Sequence, residues 1–232
     1  MDHKDISQWR ICTAIMASNT QDALVKMKAA EADADLLEIR LDAMQSFDLD
    51  LLIESFPLPL VVTYRDRDQG GFSDTGCEKR TSVLIEASLK GADFIDIELT
   101  MPADLREEIL SRKKKETKVI ISHHLFAPLP FSEVEKLADE VFEKGADLGK
   151  VIGYASDWPS NLDYLSLVQK KVSQGLPLIS FAMGEFGRPS RIMSPLMGAP
   201  WTYASLSSEQ KSAPGQLSAG DMRRIWRDIY GH

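Results

Sequence analysis

Lys150 stands inside an apolar run, after Asp147-Leu148-Gly149 and before Val151-Ile152-Gly153, where an ammonium group gains nothing from water. Desolvation and nearby cations would leave its amine free to attack a carbonyl. A lysine snorkelling from a strand end would fill the same position without any chemistry. Ser122-His123-His124-Leu125-Phe126 ends another apolar run. Neighbouring side chains on a strand point to opposite faces, so one of the two imidazoles faces inward, where it could take and return protons near neutral pH. Glu38-Ile39-Arg40 puts an acid and a base on one face by the same period of two. Thr63-Tyr64-Arg65 followed by Gln69-Gly70-Gly71 joins an arginine to a turning loop, a clamp for an oxygen or a carboxylate. Ser190-Arg191 and Ser212-Ala213-Pro214-Gly215-Gln216 add a cation, a hydroxyl and an amide, again suited to a carboxylate. The sum is an amine for carbonyl chemistry, an imidazole for proton transfer and cations for an anionic ligand.

These residues have to be positioned by regular elements, and the chain supplies a pattern for them. Eight short runs rich in Val, Ile and Leu alternate with segments of helical period, the signature of a parallel sheet wrapped by helices. The runs are Ile11 to Met16, Leu36 to Leu41, Leu60 to Tyr64, Phe94 to Leu99, Val119 to Ser122, Lys150 to Gly153, Leu178 to Phe181 and Thr202 to Leu206. Amphipathic stretches fall between them at Thr20 to Ala32, Thr81 to Lys90, Phe131 to Lys144 and Ser160 to Gln174, with Ser218 to Tyr230 last. Ser132 with Glu135 has the pattern of a capping box, Pro102 suits a first helical turn, and Gly91, Gly145 and Gly175 stand where helices should end. Residues 1–232 are expected to form one domain, a single (β/α)8 TIM barrel, since this length suits one large core of that kind.

A weak repeat links the elements to the chemistry. Ala34-Asp35-Leu36, Ala92-Asp93-Phe94 and Ala146-Asp147-Leu148 each join a helix end to a strand, with spacings of 93 − 35 = 58 and 147 − 93 = 54 residues. That is about two βα units, so these triplets open strands two, four and six. Three residues beyond each aspartate stand Glu38, Asp96 and Lys150. On alternate barrel strands equivalent positions share one interior layer, and a buried polar layer has to be paired.

Composition narrows the class. With 35 acidic against 27 basic residues the net charge is −8, which gives no support for nucleic acid or an anionic membrane as partner. The first ten residues are polar, and no apolar run approaches the roughly 20 residues that span a bilayer, so a soluble cytoplasmic protein is expected. Cys12, in an apolar run, and Cys77, in a polar one, have neither zinc spacing nor a disulfide framework, and read as a core thiol and a loop thiol.

Taken in order along the chain, Glu38 to Asp42, Arg65 with Gly70-Gly71, Asp96 to Leu99, Ser122-His123-His124, Lys150, Ser190-Arg191 and Ser212 to Gln216 resemble the type I 3-dehydroquinate dehydratases over nearly the whole length. The resemblance implies a (β/α)8 barrel that converts 3-dehydroquinate to 3-dehydroshikimate in the shikimate pathway, with no metal and no diffusible cofactor. It implies Lys150 as Schiff-base lysine, His124 as proton-transfer group and Glu38 as the carboxylate that orients and polarises it. Arg40 and Arg65 match positions that hold substrate hydroxyls and balance charge. Arg191, Ser212 and Gln216 match the clamp on carboxylate and ring hydroxyls, with Ala213 beside it, and Met183 and Tyr203 match apolar walls. Homodimers are common in the family. In some members the barrel is fused to a shikimate dehydrogenase, and this sequence carries no dinucleotide fingerprint.

The sequence also departs from the family pattern. Gln69 stands where a glutamate is common, Leu125 where a polar residue follows the histidine, and Phe181 and Tyr203 where Met and Phe are commoner. Two other readings compete. A class I aldolase or transaldolase shares the barrel and the lysine, but the carboxylate-suited Arg191 and a proline-bearing last loop are unlike a glycine-rich phosphate site. A silent binding barrel would lack the full set of Glu38, His124, Lys150 and Arg191.

Overall fold

The computed structural model describes residues 10–209, 213 and 215–230. Eight parallel strands alternate with helices: β1 (Ile11–Ile15), α1 (Thr20–Ala30), β2 (Leu36–Arg40), α2 (Leu49–Glu54), β3 (Leu60–Thr63), α3 (Cys77–Lys90), β4 (Phe94–Glu98), α4 (Ala103–Arg112), β5 (Lys118–His124), α5 (Phe131–Glu143), β6 (Leu148–Tyr154), α6 (Ser160–Ser173), β7 (Leu178–Met183), α7 (Arg188–Met193), β8 (Thr202–Ser205) and α8 (Ala219–Tyr230). The strands pair in the order β7-β6-β5-β4-β3-β2-β1-β8 and curl into a nearly closed single-domain (β/α)8 barrel. The β-branched runs form strands because both their faces are buried. Ile39, Val62, Ile97, Ile121 and Val151 face out and pack in one shell under the helices. Cys12, Leu36, Val61, Ile120, Leu148 and Ile179 face in and fill the lower barrel. Each such side chain contributes roughly 1.5–3 kcal/mol by leaving water, so the barrel floor is a packed support and not a pore.

The repeat has a structural meaning at the lower face. Asp35 accepts a hydrogen bond from the Ile11 amide (2.6 Å), Asp93 from Leu60 (2.9 Å) and Asp147 from Val119 (2.8 Å). Each aspartate opening β2, β4 or β6 therefore ties down an otherwise unpaired N–H at the start of the strand before it. The equivalent place before β8 holds Ala199-Pro200-Trp201, and a proline carries no such carboxylate. Among the described residues β7 and β8 share no ladder. There α7 fills in: Ser190 Oγ accepts from the Ala182 amide of β7 (3.0 Å), and Arg191 donates to the Tyr203 carbonyl of β8 (3.1 Å).

Several local expectations change. β5 runs on to His124, which closes the strand at its carboxyl end as expected, and β6 starts at Leu148, which puts Lys150 two residues inside the strand rather than at its start. Ser132 caps nothing, because α5 already begins at Phe131 behind Pro130, which fixes the entering backbone without a side-chain bond. Pro102 sits one place earlier than the first turn, as the N-cap of α4. Cys77 opens α3 and is not in a loop. Gly91, Gly145 and Gly175 do end helices, with φ of 105°, 95° and 78°. No helix among the described residues is long and apolar enough to cross a membrane.

Candidate active site

Glu38, Asp96 and Lys150 meet in one interior layer, as their spacing predicts. Lys150, 4% exposed, donates to Asp96 Oδ2 (3.0 Å) and Glu38 Oε1 (3.3 Å), and its Nζ lies 4.1 Å from the centre of the Tyr203 ring. The expected cationic surroundings are therefore replaced by two carboxylates in direct contact. Strand register explains it: Lys150 pairs with Ser122, Ser122 in turn with Glu98 of β4, and Thr63 with Asp96. Side chains from β2, β4 and β6 converge at one height.

The carboxylates are themselves held. Thr63 donates to Glu38 Oε1 (2.8 Å) and Ser122 to Asp96 Oδ1 (2.6 Å). Arg65 binds Asp96 (2.8 Å), Glu98 (3.3 Å) and Ser122 (2.6 Å). Burial alone would raise the Asp96 carboxyl, but Arg65 and Lys150 together with hydrogen bonds from Arg65 and Ser122 hold it well below the usual carboxylate range. Burial keeps the neighbouring Glu98 above its ordinary value despite Arg65. Arg40 is likewise occupied, by a two-pronged pair with Asp42 (2.9 and 2.7 Å) and by the Gly70 carbonyl (3.3 Å). Arg40 and Arg65 line the cavity, yet each already has an anion.

Arg191 differs. It is 2% exposed, stacks 4.2 Å from the Phe181 ring, and among the described residues has no carboxylate partner; its Nε is buried without a hydrogen bond. Burial without a counter-ion pulls its pKa down to about 9, so it remains charged at neutral pH. A guanidinium in that state can take an anion.

His124 lines the same cavity, and His123 on the opposite face of β5 does not. Burial, then the positive charges of Arg65 and Lys150, hold the His124 imidazole well below its ordinary pKa of 6.5. The neutral ring, a proton acceptor, is the resting form. Its Nδ1 has no hydrogen-bond partner among the described residues, and Glu38 is bonded to Thr63 and Lys150 and not to it. The expectation that Glu38 orients His124 finds no such bond. Gln69 instead fixes the histidine, by accepting from its backbone amide (2.8 Å). The loop that brings Gln69 there needs its glycines: Gly70 has φ 85°, and a Cβ on Gly71 would sit 2.1 Å from the Arg65 carbonyl.

Met183, Tyr203, Ala213 and Gln216 line the cavity with the residues above, whereas Ser212 lies outside the described residues, as do Gln210, Lys211 and Pro214 of the same loop. Ser190 is not in the cavity; it supports the β7 edge. Phe126, Ile152 and Phe181 complete the walls. Phe126 was missed as a site residue although it is a large apolar side chain two places after the histidine, and it is 56% exposed. Asp96 as a direct partner of the amine, and Thr63 and Ser122 as its supports, were also unassigned. The period of two backwards from Arg65 and His124 points to both hydroxyls. Among the described residues no three His, Cys, Asp or Glu side chains converge as a metal site.

Comparison with known proteins agrees with this geometry. The Type I 3-dehydroquinase family profile matches residues 11–232. A 3-dehydroquinate dehydratase of Pyrococcus abyssi is 32% identical over 217 residues, covering 93% of this chain and 96% of that one. The chloroplastic bifunctional 3-dehydroquinate dehydratase/shikimate dehydrogenase of Arabidopsis thaliana is 34% identical over 235 residues, covering 95% of this chain; the chain spans only 38% of that longer protein. The crystal structure of the type I 3-dehydroquinate dehydratase of Clostridium difficile with covalently modified comenic acid superposes with a TM-score of 0.84 at 25% identity, over 97% of this chain and 93% of that one. With a profile match across nearly all the described residues and an archaeal relative matched over nearly the whole of both chains, this chain belongs to the type I 3-dehydroquinase family of dehydratase enzymes.

Proposed function

We propose that the chain removes water from 3-dehydroquinate to give 3-dehydroshikimate, in the shikimate pathway, through an imine on Lys150. The observation that carries the reading is the meeting, in one cavity, of a buried amine, a neutral imidazole and a guanidinium that lacks an anion. Arg191 takes the substrate carboxylate, and Gln216 and Ser212 take ring oxygens. The paired Arg40 and Arg65 act mainly by fixing the carboxylates and the loop around them, and Gln69 by fixing His124.

Lys150 gives up a proton to a neighbouring acceptor, Glu38 or Asp96, and its nitrogen bonds to the ketone carbon. His124 supplies and removes protons as the former ketone oxygen leaves as water, which yields an iminium. The iminium draws electrons from the adjacent carbon, so that His124 can take that carbon's proton. The electron pair left behind forms the new double bond, the ring hydroxyl departs with a proton from His124 as a second water, and hydrolysis of the imine releases product. Glu38 is assigned to this sequence through the amine it touches, not through His124. The Clostridium difficile relative, crystallised with a covalently modified acid, supports covalent chemistry on a carboxylate ligand in a site of this kind.

Borohydride added with 3-dehydroquinate should reduce the imine and leave a mass increase on the peptide that holds Lys150. Absence of any adduct under turnover, or an adduct on another lysine, would overturn the mechanism. The resemblance further carries the proposal of a cytoplasmic homodimer, for which light scattering of the purified chain is the direct check.

A further inference from the structure

The ring of Tyr203 is the third surface around the reactive nitrogen, and neither hydrogen bonding nor simple wall-building accounts for it. Tyr203 is 5% exposed and its ring centre lies 4.1 Å from Lys150 Nζ, opposite a cradle made by Asp96 and Glu38. Its hydroxyl is buried with no hydrogen-bond partner among the described residues, so the phenol's polar end is not what meets the amine. The backbone of the same residue is fixed twice, by parallel pairing with Cys12 of β1 and by the bond from Arg191 to its carbonyl (3.1 Å). The ring is therefore presented face-on to Nζ by a rigid strand. Its π-face is electronegative and attracts a cation most strongly where water is excluded.

Charge balance shows when that attraction would operate. Resting ammonium plus ketone gives iminium plus water, and one positive charge sits on Nζ on both sides of the equation. The neutral amine occurs only between them. Asp96 is shared with Arg65 and Ser122, and Glu38 with Thr63, so neither carboxylate is given over wholly to the nitrogen. We propose that Tyr203 is a positioning residue whose ring face, by a cation–π contact, counts for more in the iminium, which keeps one N–H for the carboxylates, than in the ammonium, which has three, while its backbone sets the distance from that nitrogen to the carboxylate-binding Arg191. This rests on the imine reading of Lys150. It replaces the expectation of Tyr203 as an apolar wall with an electrostatic task.

The test keeps the shape of the ring and changes only its charge distribution. Tyr203→Phe serves as the reference, and phenylalanines bearing one, two and three fluorines are then placed at the same position. kcat/KM for 3-dehydroquinate and the yield of borohydride-trapped adduct at a fixed subsaturating substrate concentration are measured for each. Both should fall stepwise with fluorine number, by roughly tenfold across the series, the scale of a desolvated cation–π contact. A flat series, with the unmodified enzyme forming its adduct normally, overturns the role of the ring and leaves the imine intact. No adduct in the unmodified enzyme removes the imine itself, a result visible before any ring is altered. Tyr203→Leu, which removes the ring, should lower adduct yield at least as far as the trifluorinated variant; a yield equal to that of Tyr203→Phe also overturns the proposal.

Discussion

The lower face of the barrel and the layer above it both carry acids, three positions apart on β2 and β4, and to opposite effect. At the lower face Asp35, Asp93 and Asp147 each accept from a backbone amide. One layer up, Glu38 and Asp96 accept from side-chain hydroxyls and from the Lys150 amine. An acid that finds a backbone donor is spent on architecture, because that donor cannot leave. An acid that finds a side-chain amine keeps a partner able to exchange protons. The two sets differ in burial as well as in partner: Asp93 and Asp147 are exposed and Asp35 half-buried, whereas Glu38 and Asp96 are buried, and both differences separate the two layers within one repeat unit.

That contrast can be broken most severely at the upper layer. Lys150→Ala should abolish turnover and the borohydride adduct while leaving a folded barrel, since the three lower aspartates are untouched; residual turnover near the unsubstituted rate would dissolve the distinction. His124→Ala should lower kcat by roughly 10²- to 10⁴-fold, the usual span for a general acid-base group. Because Glu38 and Asp96 stay beside the amine to exchange protons while the acceptor of the carbon-bound proton is gone, its adduct should form more slowly and still accumulate, which mass spectrometry of the quenched reaction can score. Arg191→Met should raise KM by an amount equivalent to about 2–5 kcal/mol, the cost of truncating one side of a buried charged pair, and substrate titration by calorimetry reads it directly.

Smaller effects sharpen the lower end. Asp147→Ala removes a bond to the Val119 amide (2.8 Å) and should cost about 1–2 kcal/mol of stability in urea unfolding, with kcat unchanged. A matching fall in kcat would show that the two ends are not separable. The mildest test is pH. His124 is held well below 6.5 when folded, so its neutral form persists as pH drops through 6.5, while the unfolded chain's imidazole begins to protonate there. Its share of stability is therefore lost as pH falls below 6.5 toward the folded pKa, and the acid limb of kcat/KM assigned to His124 should lie below 6.5. NMR titration of the imidazole checks both signs; a pKa at or above 6.5 contradicts them.

Most of this frame was legible along the chain because period two and the βα spacing are local properties. Eight apolar runs gave the barrel, and the Ala-Asp repeat put Glu38, Asp96 and Lys150 at one height. What escaped was pairing across strands. Nothing near Arg40 or Arg65 in sequence except Asp42 shows that their charges are already met; Asp96 and Glu98 reach Arg65 only once β3 and β4 lie side by side. The same limit left open which groups pair within that layer: cations are expected around Lys150 and Glu38 against His124, whereas Glu38 and Asp96 both bond the amine. Arg191 is the converse case: Ser190-Arg191 marks it in the sequence, but that it stacks on Phe181 with no carboxylate beside it among the described residues shows only in the fold.

The joint between β7 and β8 has one more implication. Every other neighbouring pair of staves is nailed by main-chain bonds, but among the described residues this one is pinned by two side chains of a six-residue helix, and one of the pins, Arg191, is also the proposed grip on the guest. A bound anion would therefore tighten the hoop at its loosest point. Amide protons of Ala182 and its neighbours should exchange with deuterium more slowly once ligand is seated, so that occupancy at the mouth is felt as rigidity down the length of the wall.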